Sequence, residues 1–234
     1  MTITPNRLTR WAGIAAAAAG AIFIAVQINH PQLNPTSIQT TDVYIRDSLK
    51  VLMAALALAG ITGMYLNQVR KHGLLGLVGY VVFAVGYLGI MCVTFAAAYV
   101  LPEVATSNPG FVNDAIVVNT SRGTMHGDIG AFATAIKVGG FAYLVGSLLF
   151  GAALYRARVL PRWASALLAV AGIATAALSL MPDALYRLLA FPNGIAMVAL
   201  GYSLWRVART NESTHTSQGN AAAAAAAPRP AGVQ

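Results

Sequence analysis

Residues 74–101 read LLGLVGYVVFAVGYLGIMCVTFAAAYVL, 28 consecutive positions without a charged side chain. A helix needs about 20 mostly apolar residues to cross a ~30 Å hydrocarbon core. A helix on a soluble surface would carry a polar face, and this stretch has none. Arg70 and Lys71 precede it, and Pro102 and Glu103 follow it. It reads as a transmembrane helix that leaves a basic edge and arrives at an acidic one.

Working outward, five more apolar runs appear, at Trp11–Gln27, Leu49–Leu66, Phe132–Tyr155, Trp163–Met181 and Leu188–Trp205. The expected fold is all-α: a polytopic integral membrane protein with a bundle of six transmembrane helices in residues 1–209. Residues 210–234 turn polar, then Ala-rich and Pro-containing, and read as a disordered cytoplasmic tail. The first run resembles a signal peptide, with Arg7 and Arg10 ahead of an apolar core. Gln27-Ile28-Asn29-His30 offers poor cleavage residues, so a retained first helix is expected.

Composition agrees with a membrane body. Of 234 residues, 57% are hydrophobic and only 9% are charged, against about 25% charged in soluble domains. The net charge of +8 would suggest nucleic acid in a soluble protein. Its distribution argues for no nucleic acid here. Arg7, Arg10, Arg70, Lys71, Arg156, Arg158, Arg162, Arg206, Arg209 and Arg229 fall on one side of six spans, and six of the seven acids on the other. The positive-inside rule then puts both termini in the cytoplasm, and the inner (plasma) membrane is the expected location. The lipid bilayer is the first partner, and anionic lipid adds some attraction for the basic side.

Ionisable groups within a span are functional candidates by default. Lys137 lies 18 residues before Tyr155 at the basic end of its helix, hence roughly 27 Å from it. That depth lets it either snorkel to the interface or pair inside. Asp47 and Lys50 sit three apart at the start of the second span, and Asp183 and Arg187 four apart before the sixth. Such pairs are either local helix-end ion pairs or parts of one outward-facing polar vestibule. The vestibule would gather Asp47, Lys50, His126, Asp128, Lys137 and Arg187. Phe191-Pro192-Asn193-Gly194 interrupts the sixth span. Pro192 breaks the helical ladder, and freed backbone groups at such breaks border binding sites or form plain kinks. Asn193 therefore joins the candidate ligand-binding residues.

Other chemistries lack their residues. His30, His72, His126 and His215 have no metal-ligand spacing, and no histidine pair faces across the bundle at depth for haem. No phosphate loop or nucleophile elbow occurs. No metal or cofactor is expected, and no catalytic residue stands out. Cys92 lies inside a span, where a thiol packs rather than reacts. Asn119-Thr120-Ser121 fits the glycosylation sequon. The recurrent glycines suit close helix packing.

Gly151-Ala-Ala-Leu-Tyr-Arg-Ala-Arg-Val-Leu-Pro-Arg-Trp163, with Arg10-Trp-Ala-Gly-Ile14 and Gly201-Tyr-Ser-Leu-Trp-Arg206, resembles uncharacterised bacterial multi-pass membrane proteins. That resemblance implies a helical body up to about Arg209 and carries no site residues. The functional expectation is a non-enzymatic accessory, sensory or assembly subunit, meeting a membrane protein partner or forming a homo-oligomer. The alternative is a small-solute, lipid or ion carrier that uses the vestibule. An intramembrane enzyme with His126 and Asp128 as acid/base groups is the third possibility.

Overall fold

The computed structural model describes residues 4–179, 188 and 190–226 of the chain. The described residues are helical throughout, joined by turns and short loops. The long helices are α1 (Pro5–Ala25), α2 (Thr41–Asn67), α3 (Val69–Tyr99), α6 (Ala131–Ala157), α7 (Arg162–Ser179) and α8 (Ala190–Ala226). Two short ones, α4 (Leu101–Ser107) and α5 (Pro109–Thr120), lie between α3 and α6.

Local sequence explains the helix starts. Thr4 caps α1 by accepting the Arg7 amide, with Pro5 in the first turn, where its missing N–H costs nothing. Asn108 does the same for α5 through the Phe111 amide at 3.1 Å, followed by Pro109. Between α2 and α3 the chain reverses at Gln68. A further break follows at Gly73, whose φ of 57° and ψ of −158° are open only to glycine. The whole 74–101 stretch thus runs from a glycine hinge.

Each long helix packs antiparallel on its neighbours in chain order. The contacts run α1–α2–α3–α6–α7–α8 and close back from α8 onto α1. The result is a ring. Closure depends on glycine: a Cβ added at Gly13 would sit 2.7 Å from the Gly201 carbonyl oxygen, and one at Gly194 would sit 2.9 Å from that of Gly20. Two glycines seven apart on α1 therefore meet two glycines seven apart on α8, so their backbones touch. All the described basic residues assigned to the inner side lie at one end of this ring, on the α1 start, the α2–α3 and α6–α7 turns and the α8 stretch to Arg209.

Large apolar side chains point both ways. Phe83 and Tyr87 of α3 are buried, while Leu74, Leu77, Val81, Val85 and Phe95 of the same helix are exposed. Exposed apolar surface on that scale needs lipid or another protein to cover it. Four helices, α1, α2, α3 and α6, are long and apolar enough to cross a membrane. That corrects the expectation of six such helices. Among the described residues, α7 contributes only a shorter apolar stretch, Arg162–Ala174. Residues 180–181, the end of the expected fifth span, lie outside the described set, as do residues 182–187. The sixth is weakened by Pro192 and Asn193 and turns polar beyond Trp205.

Aromatic rings of α2, α3 and α6 pack in the core beside aliphatic side chains of the other helices. Tyr65 stacks on His72 and on Tyr80; Tyr80 meets Phe150; Phe83 meets Phe150, Tyr87 and Tyr143. The column runs from the basic end to the middle of the bundle. A second apolar cluster, including Ile38, Val43, Leu101, Val112 and Ile136, fastens α4 and α5 over the opposite end. At the basic end α8 keeps its helical backbone to Ala226, into the segment whose composition reads as a flexible tail. Alanine has the highest helix propensity, which favours that continuation.

Candidate functional site

A cavity of about 470 Å³ opens at the end away from the basic residues, a size that suits a drug-sized ligand. Gln32, Asn119 and Gly123, all exposed, stand at its mouth beside His30, Lys50 and Arg122. Below them the wall is mostly apolar, with Phe23, Met53, Ile90, Val93, Ile116 and Ile136, and it also carries Gln27 and Thr120. Tyr143 closes the floor. From Thr94 at the rim to Gly86, which packs on Tyr143, is eight residues of helix, or roughly 12 Å of depth.

The mouth is built from the turn after α1 and the start of α2. The Lys50 Nζ donates to Asp47 Oδ1 at 2.7 Å and to His30 Nε2 at 2.8 Å. The His30 Nδ1 lies 2.8 Å from the Pro31 carbonyl oxygen. This geometry fits the tautomer with hydrogen on Nδ1, so that Nε2 accepts from Lys50. Asp47 is 2% exposed and its Oδ2 has no partner. An ammonium has three N–H donors, and two of Lys50's are used within the protein. The third is left for the cavity that Lys50 lines.

Arg46 holds this corner together. It grips Asp42 through Nε, at 2.9 and 3.0 Å, and donates from Nη1 to the carbonyls of Val26 and Ile28, at 3.0 and 2.8 Å. It thereby satisfies the open carbonyls at the end of α1 and ties them to α2. Only the i, i+4 spacing of Asp42 and Arg46 hinted at it.

On the far rim, Asp114 of α5 is 3% exposed. Its carboxylate accepts from the His126 and Gly127 amides, at 2.9 and 2.8 Å, and from Asn113 Nδ2 at 3.2 Å. The His126 amide, with the Gly127 amide and the Asn113 side chain, holds this carboxyl below the ordinary carboxylate range. Asp114 was no candidate by sequence, yet it pins the loop that carries two candidates.

Behind the floor lies another polar group. Asn193, fully buried, accepts at Oδ1 from the Tyr87 hydroxyl at 3.2 Å, and its Nδ2 has no partner. The Tyr143 hydroxyl, also buried, lies beside that of Tyr87.

The expected vestibule residues therefore divide. Asp47 and Lys50 form one corner of the cavity, and Asn193 stands behind its floor. His126 and Asp128 are exposed in the loop, where Asp128 caps its own turn through the Gly130 amide at 2.8 Å. Lys137 is exposed, with no ion pair among the described residues. Arg187 and Asp183 lie outside the described residues. Sequence reading missed His30, Arg122 and Tyr143. They are polar groups in a loop or a span, without a motif to mark them.

Among the described residues no cluster of three or more histidines, cysteines or acids has the arrangement of a metal site. Comparison with models of protein families, with curated proteins and with solved structures finds no match.

Proposed function

We propose that this chain is a six-span protein of the plasma (inner) membrane, with both termini cytoplasmic, that binds an anionic amphiphile in its outward-facing cavity. The observation that carries the proposal is the gradient within that cavity. Basic groups, Lys50, His30 and Arg122, ring the mouth, and an apolar shaft lies below them. Such a shape suits a molecule with an acidic head and a hydrocarbon body. The head accepts from the third N–H of Lys50, a charge-assisted hydrogen bond, and the body displaces water from the apolar wall. The accessory-subunit expectation explains none of these features, since a scaffold needs no cavity inside its ring.

The six-span topology rests on ring closure. α7 and α8 run antiparallel to α6 and α1 along their length, so they cross whatever their neighbours cross. The charge asymmetry supports the orientation.

Calorimetric titration of octanoate into the protein in lipid nanodiscs, against empty nanodiscs, tests the binding reading. Saturable uptake is expected for the native chain and its loss in an Asp47→Asn, Lys50→Gln double variant, which keeps side-chain shape and removes both charges. Uptake by the native chain no greater than by empty nanodiscs overturns the reading.

A further inference from the structure

The basic end of the ring carries a groove of its own, between the start of α7 and the middle of α8, with a volume of about 530 Å³. Ala199, Tyr202, Ser203, Arg206 and Thr210 line it from α8. Their spacings of three and four residues put them on one face of that helix. α7 supplies the other side with Trp163. Trp163 and Tyr202 are 60% and 55% exposed, so the groove opens outward from the ring rather than into its core.

The groove is graded along its length. Ala199 and Thr210 stand eleven residues apart, roughly 16 Å of helix. Ala199 and Tyr202 lie toward the middle of the bundle, and Arg206 and Thr210 toward the basic end. Trp and Tyr rings between an apolar stretch and a cation are the side chains favoured at the headgroup level of a bilayer.

Charge restricts what fills it. Arg206 is exposed and belongs to no ion pair among the described residues. Its guanidinium lies over the Tyr202 ring, 6.0 Å from the centroid, which positions it without consuming its N–H donors. The described lining contains no acid. A zwitterionic headgroup therefore finds no counter-charge there for its ammonium. A headgroup with net negative charge needs none, and its phosphate oxygens match the guanidinium fork.

We propose that this groove binds one anionic phospholipid of the cytoplasmic leaflet, its phosphate on Arg206 and the upper part of an acyl chain between Trp163 and Tyr202. The inference takes from the reading above only that α7 and α8 cross the membrane, and it is independent of the ligand in the cavity.

The test makes Trp163 the sole tryptophan, through Trp11→Phe and Trp205→Phe, and follows its fluorescence in phosphatidylcholine vesicles doped with chain-brominated lipid. Brominated phosphatidylglycerol is expected to quench at about one fifth of the mole fraction that brominated phosphatidylcholine needs, the advantage that one arginine gives at a membrane surface. Arg206→Gln should bring the two lipids to parity. Ser203→Phe, which fills the groove and keeps the charge, should do the same. Arg70→Gln, at the same end but outside the groove, should leave the preference intact. Equal quenching by both lipids before any of these changes overturns the proposal and leaves α7 in the bilayer. Quenching by neither overturns the crossing of α7 and the proposal with it. Stronger quenching by phosphatidylcholine would put a quaternary ammonium against the aromatic rings and also overturns it. So does a preference that survives Arg206→Gln or falls equally in Arg70→Gln, since diffuse charge rather than a site then gathers the lipid.

Discussion

Single residues in this protein are placed by what they would otherwise lose. Asp47 is buried and pairs with Lys50 at 2.7 Å. Lys50→Ala should therefore cost about 3 kcal/mol or more, because it strands a buried carboxylate. The Asp47→Asn, Lys50→Gln pair should stay within ~1 kcal/mol of the native chain. Thermal unfolding in nanodiscs separates the two outcomes. Asp114 makes a pH prediction. Its carboxyl is held below the ordinary range, so its grip on the loop is complete above pH ~4 and is lost as pH falls through the folded value. Hydrogen exchange at the His126 and Gly127 amides should rise several-fold in Asp114→Asn at neutral pH. Unchanged protection would mean that the loop is held by other contacts. The i, i+3 spacing of Asp47 and Lys50 was legible in the chain. The roles of His30 and Asp114 were not, because each depends on a backbone group that only folding brings near.

At the scale of elements, hydropathy and capping signals read well. The 74–101 stretch falls within α3 except for its last two residues. α4 leaves no clear signal, because seven residues with a proline in the first turn give too short a pattern to distinguish from a turn. Close helix contact is the other feature of this scale. Gly201→Ala should destabilise the protein by about 1–3 kcal/mol, because its Cβ would stand 2.5 Å from the Gly13 carbonyl oxygen. Gly140→Ala, where nothing lies within 4 Å, should be neutral or stabilise by up to ~1 kcal/mol through helix propensity. Equal melting temperatures for the two variants would argue against direct backbone contact between α1 and α8. Glycine content alone does not distinguish these positions, since both stand in apolar helices.

The long described helices form a closed ring. Aromatic rings of α2, α3 and α6, from His72 to Tyr143, pack in its core. The topology has its own test. Cysteines introduced at Ser107 and at Lys71 in a Cys92→Ala background should label from opposite sides of intact cells or vesicles, Ser107 from outside. Labelling of both from one side would refute the antiparallel ring as a membrane bundle, and Lys71 from outside would refute the orientation. Charge asymmetry already implied this arrangement, since it survives any detail of helix packing.

Membrane class, helix positions and the sorting of charge to two ends were all present in the chain as a string, because each follows from local composition over a stretch of residues. Tertiary structure decided the rest. It joined α8 to α1, it sent His126 and Lys137 to the surface while drawing Lys50 and His30 together, and it set Tyr143 against the cavity. The physical reason is distance along the chain: Tyr87 and Asn193 stand 106 positions apart, and no local pattern records a contact that only closure of the ring creates.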